Sequence, residues 1–339
     1  MKILCLHSDF IEIEPKTKAI KNAEEIDKAK YIKINLSDFP DSFYLELSSE
    51  KRKEIFKQAA NNIGSLPKLA KKLNVSWRSF WNWFHGRRAL KLETLRNICN
   101  IAGIELNSIQ KYIEKVKGDT YCRKGLKLNL PFEVNEDWAY MAELLRTDGH
   151  ITKDLKNVEI ANNDFGVLER FKSFLFKIGI ESDSIHQKPW NKGLYFKICN
   201  RTFARMMSSV FEIPIGKKCG IIFIPKIIKD SQPAVMASAL RGAFDGDGWS
   251  CFRSRRTGIQ LKSKQYVQDI CELLQKLGIS SYFRGPNKED KYLCEVTRQQ
   301  NLIRFQNIIN FDNIKRKESL SRIVSNYRGR LNANNNIAC

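Results

Sequence analysis

Two stretches of this chain end alike. AYMAELLRTDGHI (139–151) and ALRGAFDGDGWS (239–250) place Asp148-Gly149 and Asp247-Gly248 99 residues apart. FLFKIGIES (174–182) and LLQKLGISS (273–281) repeat at the same spacing, as do Lys217-Lys218 and Arg316-Lys317. A duplication of this size constrains the architecture before any local propensity does, and two copies are too few for a stacked solenoid. The chain therefore carries one α+β unit of about a hundred residues, twice.

Each unit reads as an apolar helix ending at Asp-Gly, a strand pair, an amphipathic helix, a second strand pair and a closing helix. In the second unit the strands are WSCFRSR (249–255) and GIQLKSK (258–264), turning at Arg256–Gly258. Gly278 stops the helix YVQDICELLQKLG as a C-cap. Alternation puts Arg253 and Arg255 on one strand face, and Gln260, Lys262 and Lys264 on the other strand's, a set suited to base edges and flanking phosphates.

The helix before Asp247 is costly by local rules. A helical glycine costs about 1 kcal/mol relative to alanine, and a helix C-terminus favours cations over acids. Yet Ala239, Gly242, Ala243 and Gly246 form one small-residue stripe. Such a stripe lets a second helix approach almost to backbone contact. If the two repeats pack through these helices, Asp148 and Asp247 meet at one end, repel, and raise each other's pKa. Hard carboxylate oxygens in that position suit Mg²⁺.

These residues resemble the two signature helices of the LAGLIDADG homing endonuclease family, of the DOD type. The likeness extends through IPIGKKCGIIFIPKII, the paired LGI segments and INFDNIKRKESL, over about residues 135–327. It implies a monomer of two pseudo-symmetric αββαββα repeats whose sheets form a β-saddle over a long DNA target, both strands being cut with Mg²⁺. By position it makes Asp148 and Asp247 the metal-binding acids. It also calls for basic residues beside them, for which Lys217, Lys218, Arg316 and Lys317 are candidates, Lys218 and Lys317 being taken as the catalytic pair. The chain departs from the family at Glu143, where a small residue is usual and Arg146 follows one turn on. Either the helix contact shifts onto Ala139 and Ala142, or it is looser. Ile221-Ile222 stands where a basic residue is common.

Lys and Arg number 58 against 37 acids, a net of +21, which points to a polyanionic partner. Residues 51–117 hold 15 Lys or Arg and 4 acids, a net of +11. Within them, SLPKLAKKLNVSWRSFWNWFHGRRAL resembles the helix-turn-helix of phage-repressor-like regulators. Ala70 leaves room for a facing helix, and Asn74 tolerates a left-handed turn. Leu69, Leu73, Val75, Phe80 and Trp83 form the expected core, and Ser76 caps the second helix. Trp77, Arg78, Trp81 and Asn82 then face the groove, with Arg87 and Arg88 placed for phosphates.

The expected division is 1–50, of uncertain fold; 51–117, an all-α helix-turn-helix domain; 118–135, a linker; 136–230 and 231–339, the two repeats. MKILCLHSDFIEIEP resembles the opening of the archaeal threonyl-tRNA synthetase editing domain, but too little follows for His7 to carry editing chemistry. Nine scattered cysteines without a CxxC pair, and no apolar run of spanning length, point to a reducing cytoplasm, with a nucleoid-associated chain. The reading is a site-specific DNA endonuclease. The alternatives are a DNA-binding transcription regulator that no longer cuts and a maturase acting on intron RNA.

Overall fold

The structure, a computed structural model, describes residues 11–13, 31–120 and 124–335. Strands β1 (Ile11–Ile13), β2 (Lys33–Ile34) and β3 (Tyr44–Leu47) precede helices α1 (Ser49–Ile63), α2 (Leu66–Lys72) and α3 (Trp77–Phe84). Next come β4 (Leu90–Lys91), α4 (Leu92–Ala102), β5 (Ile113–Lys117) and β6 (Phe132–Glu133). The basic region is thus not all-α. A small antiparallel sheet, β4-β3-β5, closes it, because Leu45 and Leu47 alternate into the same core as Phe56, Phe80 and Ile98. The resemblance to an editing domain, with His7, falls outside the described residues; of that stretch only β1 is described, paired to the last sheet.

Asn74 takes a left-handed conformation, φ 53°, between α2 and α3, as the turn spacing requires. The Ser76 hydroxyl accepts the Ser79 amide at 3.2 Å and caps α3. Leu69 and Phe80 are buried, while Leu73, Val75 and Trp83 pack half-buried against them. This region is seated on the first repeat. Arg205 donates to the carbonyls of Ser42 and Gly118, and the Gly118 amide donates to Thr202 at 2.9 Å.

The first repeat runs α5 (Glu136–Thr147), β7 (Gly149–Ile151), β8 (Val158–Asn162), α6 (Phe165–Lys177), β9 (Ile185–Trp190), β10 (Gly193–Ile198) and α7 (Arg201–Ser209). After α8 (Lys226–Lys229), the second runs α9 (Pro233–Asp247), β11 (Gly248–Cys251), β12 (Arg256–Leu261), α10 (Lys264–Lys276), β13 (Ser281–Arg284), β14 (Tyr292–Val296) and α11 (Gln299–Ile308). Helix α12 (Ile314–Asn335) follows. Both sheets are antiparallel and ordered alike, β7-β8-β10-β9 and β1-β13-β14-β12-β11, the extra strand lying at an edge. This is the αββαββα duplication.

The second hairpin turns earlier than the Arg256–Gly258 turn expected from the sequence. Cys251 pairs with Arg256, so the turn is Phe252–Arg255, with Arg255 left-handed at φ 52°. Arg253 and Arg255 therefore belong to the turn and not to a strand face. Lys264 begins α10 because Ser263 caps that helix, accepting the Tyr266 amide at 3.3 Å. The strand face opposite the core instead carries Arg256, Gly258 and Gln260.

Helices α5 and α9 form the most extensive helix contact in the molecule. A Cβ on Gly242 would stand 2.2 Å from the Tyr140 carbonyl oxygen, and one on Gly246 would stand 2.0 Å from Thr147 Oγ1. The glycines are what let the two backbones meet, so Glu143 does not hold the pair apart. Its side chain pairs with Arg146 at 3.0 Å and accepts the hydroxyl of Tyr266, from the other repeat, at 2.7 Å. Both Glu143 and Arg146 are fully buried.

Candidate active site at the meeting of two helices

Because α5 and α9 run together to their C-termini, Asp148 and Asp247 sit within electrostatic reach of each other. Burial, then the charge of Asp247, pushes the Asp148 carboxyl up to about 7, while an Asn162 Nδ2 donor at 2.7 Å partly offsets this. Burial also raises Asp247, against the pull of Lys218 and Arg316. Each acid is where a helix dipole disfavours it, so the site favours added positive charge.

Two cations already serve the helix ends. Lys218 Nζ donates to the carbonyls of Leu145, at 3.1 Å, and Thr147. Arg316 Nη1 donates to Phe244 O at 2.7 Å and to Asp245 O, and its Nη2 donates to Gly246 O at 3.0 Å. These bonds satisfy orphan carbonyls and hold both cations beside the acids. Burial pulls Lys218 down to about 8, against the upward pull of both aspartates, and also lowers Arg316.

The 99-residue spacing pairs Lys218 with Lys317. The structure brings Arg316 in and leaves Lys317 exposed. The repeat offset explains this. Phe196 and Cys294 pair with Ile160 and Ile259, so a spacing of 99 earlier in the repeat becomes 98 there. By that point the second copy is a net one residue shorter, and Lys218 is matched by Arg316.

A cavity of about 250 Å³ opens on Asp148, lined also by Asn162, Trp190, Asn191, Gly246, Asn313 and Arg316 among others. Asn162, Asn313 and Trp190 escaped the sequence reading, since nothing in a lone Asn or Trp marks it for a site that the topology assembles. Among the described residues no group of three or more His, Cys, Asp or Glu could hold a metal ion. Two carboxylates nonetheless suit Mg²⁺, which is commonly held by one or two carboxylates with water and phosphate oxygens completing its shell.

The expected DNA contacts are dispersed. Arg78, Arg87 and Arg88 are exposed on or just after α3, and Asn82 is half-buried. Arg253 is exposed in the β11–β12 turn, and Arg255 lies over the Tyr327 ring at 5.6 Å. Gln260 is half-buried on β12 and Lys262 exposed just beyond it. Missed on the same sheet were Arg256 and Arg284, which both reach the buried Glu295, at 3.2 and 3.5 Å.

Fold and site define a duplicated α+β protein with paired acids at a helix seam. The model of the LAGLIDADG family, described as a LAGLIDADG-like domain, matches the duplicated part of the chain at residues 135–207 and 234–310. The chain is similar to the probable translation initiation factor IF-2 of Methanocaldococcus jannaschii, 29% identical over 59% of this chain and 17% of that protein. It is also similar to that of Thermococcus kodakarensis, 25% identical over 72% of this chain and 21% of that protein. The chain thus spans about a fifth of the length of these relatives. Among solved structures, the homing endonuclease I-DmoI in complex with DNA and Mn aligns at TM-score 0.41 and 13% identity, covering 52% of this chain and 97% of that one. Full-length DUF199/WhiA from Thermatoga maritima aligns at TM-score 0.41 and 14% identity, covering 62% and 70%. No helix among the described residues is long and apolar enough to cross a membrane.

Proposed function

We propose that this chain is a site-specific DNA endonuclease that makes a double-strand cut at a long asymmetric target. The carrying observation is the pair of half-buried carboxylates, one from each repeat, meeting at the closed α5–α9 seam with a capping cation beside each. Asp148 and Asp247 would hold Mg²⁺, which when bound neutralises phosphate charge and acidifies water. Asn162 orients the Asp148 carboxyl from the side. Lys218 and Arg316, anchored on carbonyls, present fixed positive charge toward a phosphodiester without reorganising. The sheets supply a saddle for the duplex, with Arg253, Arg255, Arg256, Gln260 and Lys262 along the second. The basic region, of helix-turn-helix type in this reading, adds nucleic-acid affinity through Arg78, Asn82, Arg87 and Arg88.

The test is incubation with Mg²⁺ and a randomised plasmid library, sequencing the ends produced. Asp148→Asn and Asp247→Asn should each abolish cutting while leaving binding in EDTA intact. If both variants cut like the parent, the assignment fails. Specific, metal-independent binding without nicking in the parent would favour the regulator reading.

A further inference from the structure

Helix α3 shows two unlike aromatic faces. Inward, Phe80 and Phe84 seal edge-to-face on Phe56, with ring centroids 5.3 and 5.8 Å away. Outward, Trp77, Trp81 and His85 follow at four-residue steps and form a ladder along the helix. Trp77 and Trp81 lie 5.5 Å apart at 39°, and Trp81 and His85 lie 4.1 Å apart at 55°. The two indoles remain 45% and 38% exposed, an unusual cost for the largest apolar side chains. Beside Trp77 a cleft of about 640 Å³ is lined by Pro67, Lys71, Asn74 and Ser76 among others. From Ile55 to Leu92 the chain contains no acid, Lys71 lines the same cleft as Trp77, and Lys72, Arg78, Arg87 and Arg88 are exposed on or next to α2 and α3.

This chemistry does not match a duplex groove. Base edges are read by side chains with several donors or acceptors, and an indole offers one N–H and a flat face. Flat faces are matched by base faces, which a duplex hides and an unpaired strand displays, while the surrounding cations match its phosphates. We propose that the outer face of α3 is a stacking platform for nucleotides with unpaired bases, in DNA or RNA. This site is independent of the acids at the helix seam and stands whether or not the chain cuts DNA.

The test measures anisotropy of labelled oligothymidine, oligouridine and a random duplex with the full chain in EDTA. Trp77→Ala with Trp81→Ala should weaken single-strand binding about tenfold or more, with duplex binding changed less than about twofold. Trp77→Phe with Trp81→Phe should restore most of the loss, since both rings can still stack. Arg87→Ala with Arg88→Ala should weaken every ligand and flatten its salt dependence. Comparing oligothymidine with oligouridine decides which strand chemistry is preferred. Single-strand binding that is unchanged in the double alanine variant, or duplex binding that falls equally, would overturn the proposal.

Discussion

Arg146 and Asp245 stand 99 residues apart, on the same turn of two paired helices, and do one job with opposite charge. Arg146 donates to the carbonyls of Phe211 and Glu212, on the chain that leads to Lys218. Asp245 accepts the amides of Asp312 and Asn313, on the chain that leads to Arg316, at 2.9–3.1 Å. Each is locked from the other repeat: Tyr266 bonds Glu143, which holds Arg146, and Tyr140 donates to Asp245 at 2.9 Å. The residues that look like departures from the family pattern are therefore a replacement part.

Removing one partner of a buried ion pair strands the other, at about 3–5 kcal/mol, whereas removing both can be nearly neutral. Arg146→Met should lower stability by that amount, and adding Glu143→Leu should recover a large part of it. Urea denaturation of the two single variants and the double closes the cycle. Additive losses would mean that the pair is not coupled and that Arg146 acts only through the carbonyls it caps.

Gly242 faces backbone, not a movable side chain. Alanine there gains about 1 kcal/mol of helix propensity but forces a carbon to 2.2 Å from the Tyr140 carbonyl, and overpacking of this kind costs about 1–3 kcal/mol or more. Gly242→Ala should lower the melting temperature and reduce cutting, because the acids ride on the same seam. A melting temperature at or above the parent's would show that the helices part without cost.

The duplication made much of this legible. Small residues at helical spacing and two Asp-Gly endings gave the seam, the acids and the αββαββα order, because period and spacing survive in a linear string. The turn at Asn74 and the cap at Ser76 were legible for the same reason. What was not legible depended on side chains that meet only after folding. Tyr140 and Tyr266 look like ordinary core aromatics, and Asn162 like a strand residue. The net one-residue shortening that exchanges Lys317 for Arg316 is silent until strand pairing fixes Phe196 against Ile160 and Cys294 against Ile259. The hairpin was misjudged because Arg255, a residue that rarely adopts positive φ, fills the left-handed turn position.

The acids also set a pH dependence. Asp148 keeps its proton to about pH 7 when folded and only to 3.8 when unfolded, so the folded chain holds the extra proton between those values. Stability without metal should therefore fall as pH rises from about 4 to about 7, the lowered Lys218 adding a slope of opposite sign above about 8. The half-buried Asp148 contributes on the order of 2 kcal/mol after allowance for solvent screening. Asp245, raised to about 6 mainly by burial, adds a slope of the same sign. Asp148→Asn should flatten the profile and raise the metal-free melting temperature at pH 8. Mg²⁺ or Mn²⁺ should raise that temperature in the parent by mass action and leave the variant unmoved. A metal-induced rise that persists in Asp148→Asn would place the ion elsewhere.

The two candidates at the second helix end make the sharpest comparison. Arg316 caps three carbonyls of α9 and feels both aspartates, whereas Lys317 is exposed one residue on. Removing a preorganised donor beside a reacting phosphate costs about a hundredfold in rate, while surface substitutions move free energies by about 0.5 kcal/mol or less. Arg316→Ala should slow cutting of a bound target about a hundredfold, and Lys317→Ala should stay within about twofold. Affinity measured in EDTA for both variants separates a lost cation from lost binding, since only the former leaves Kd unchanged while the single-turnover rate falls. The reverse ranking, with Lys317→Ala the slower enzyme, would restore the strict 99-residue correspondence with Lys218 and show that the chain shifts by one residue when DNA is bound.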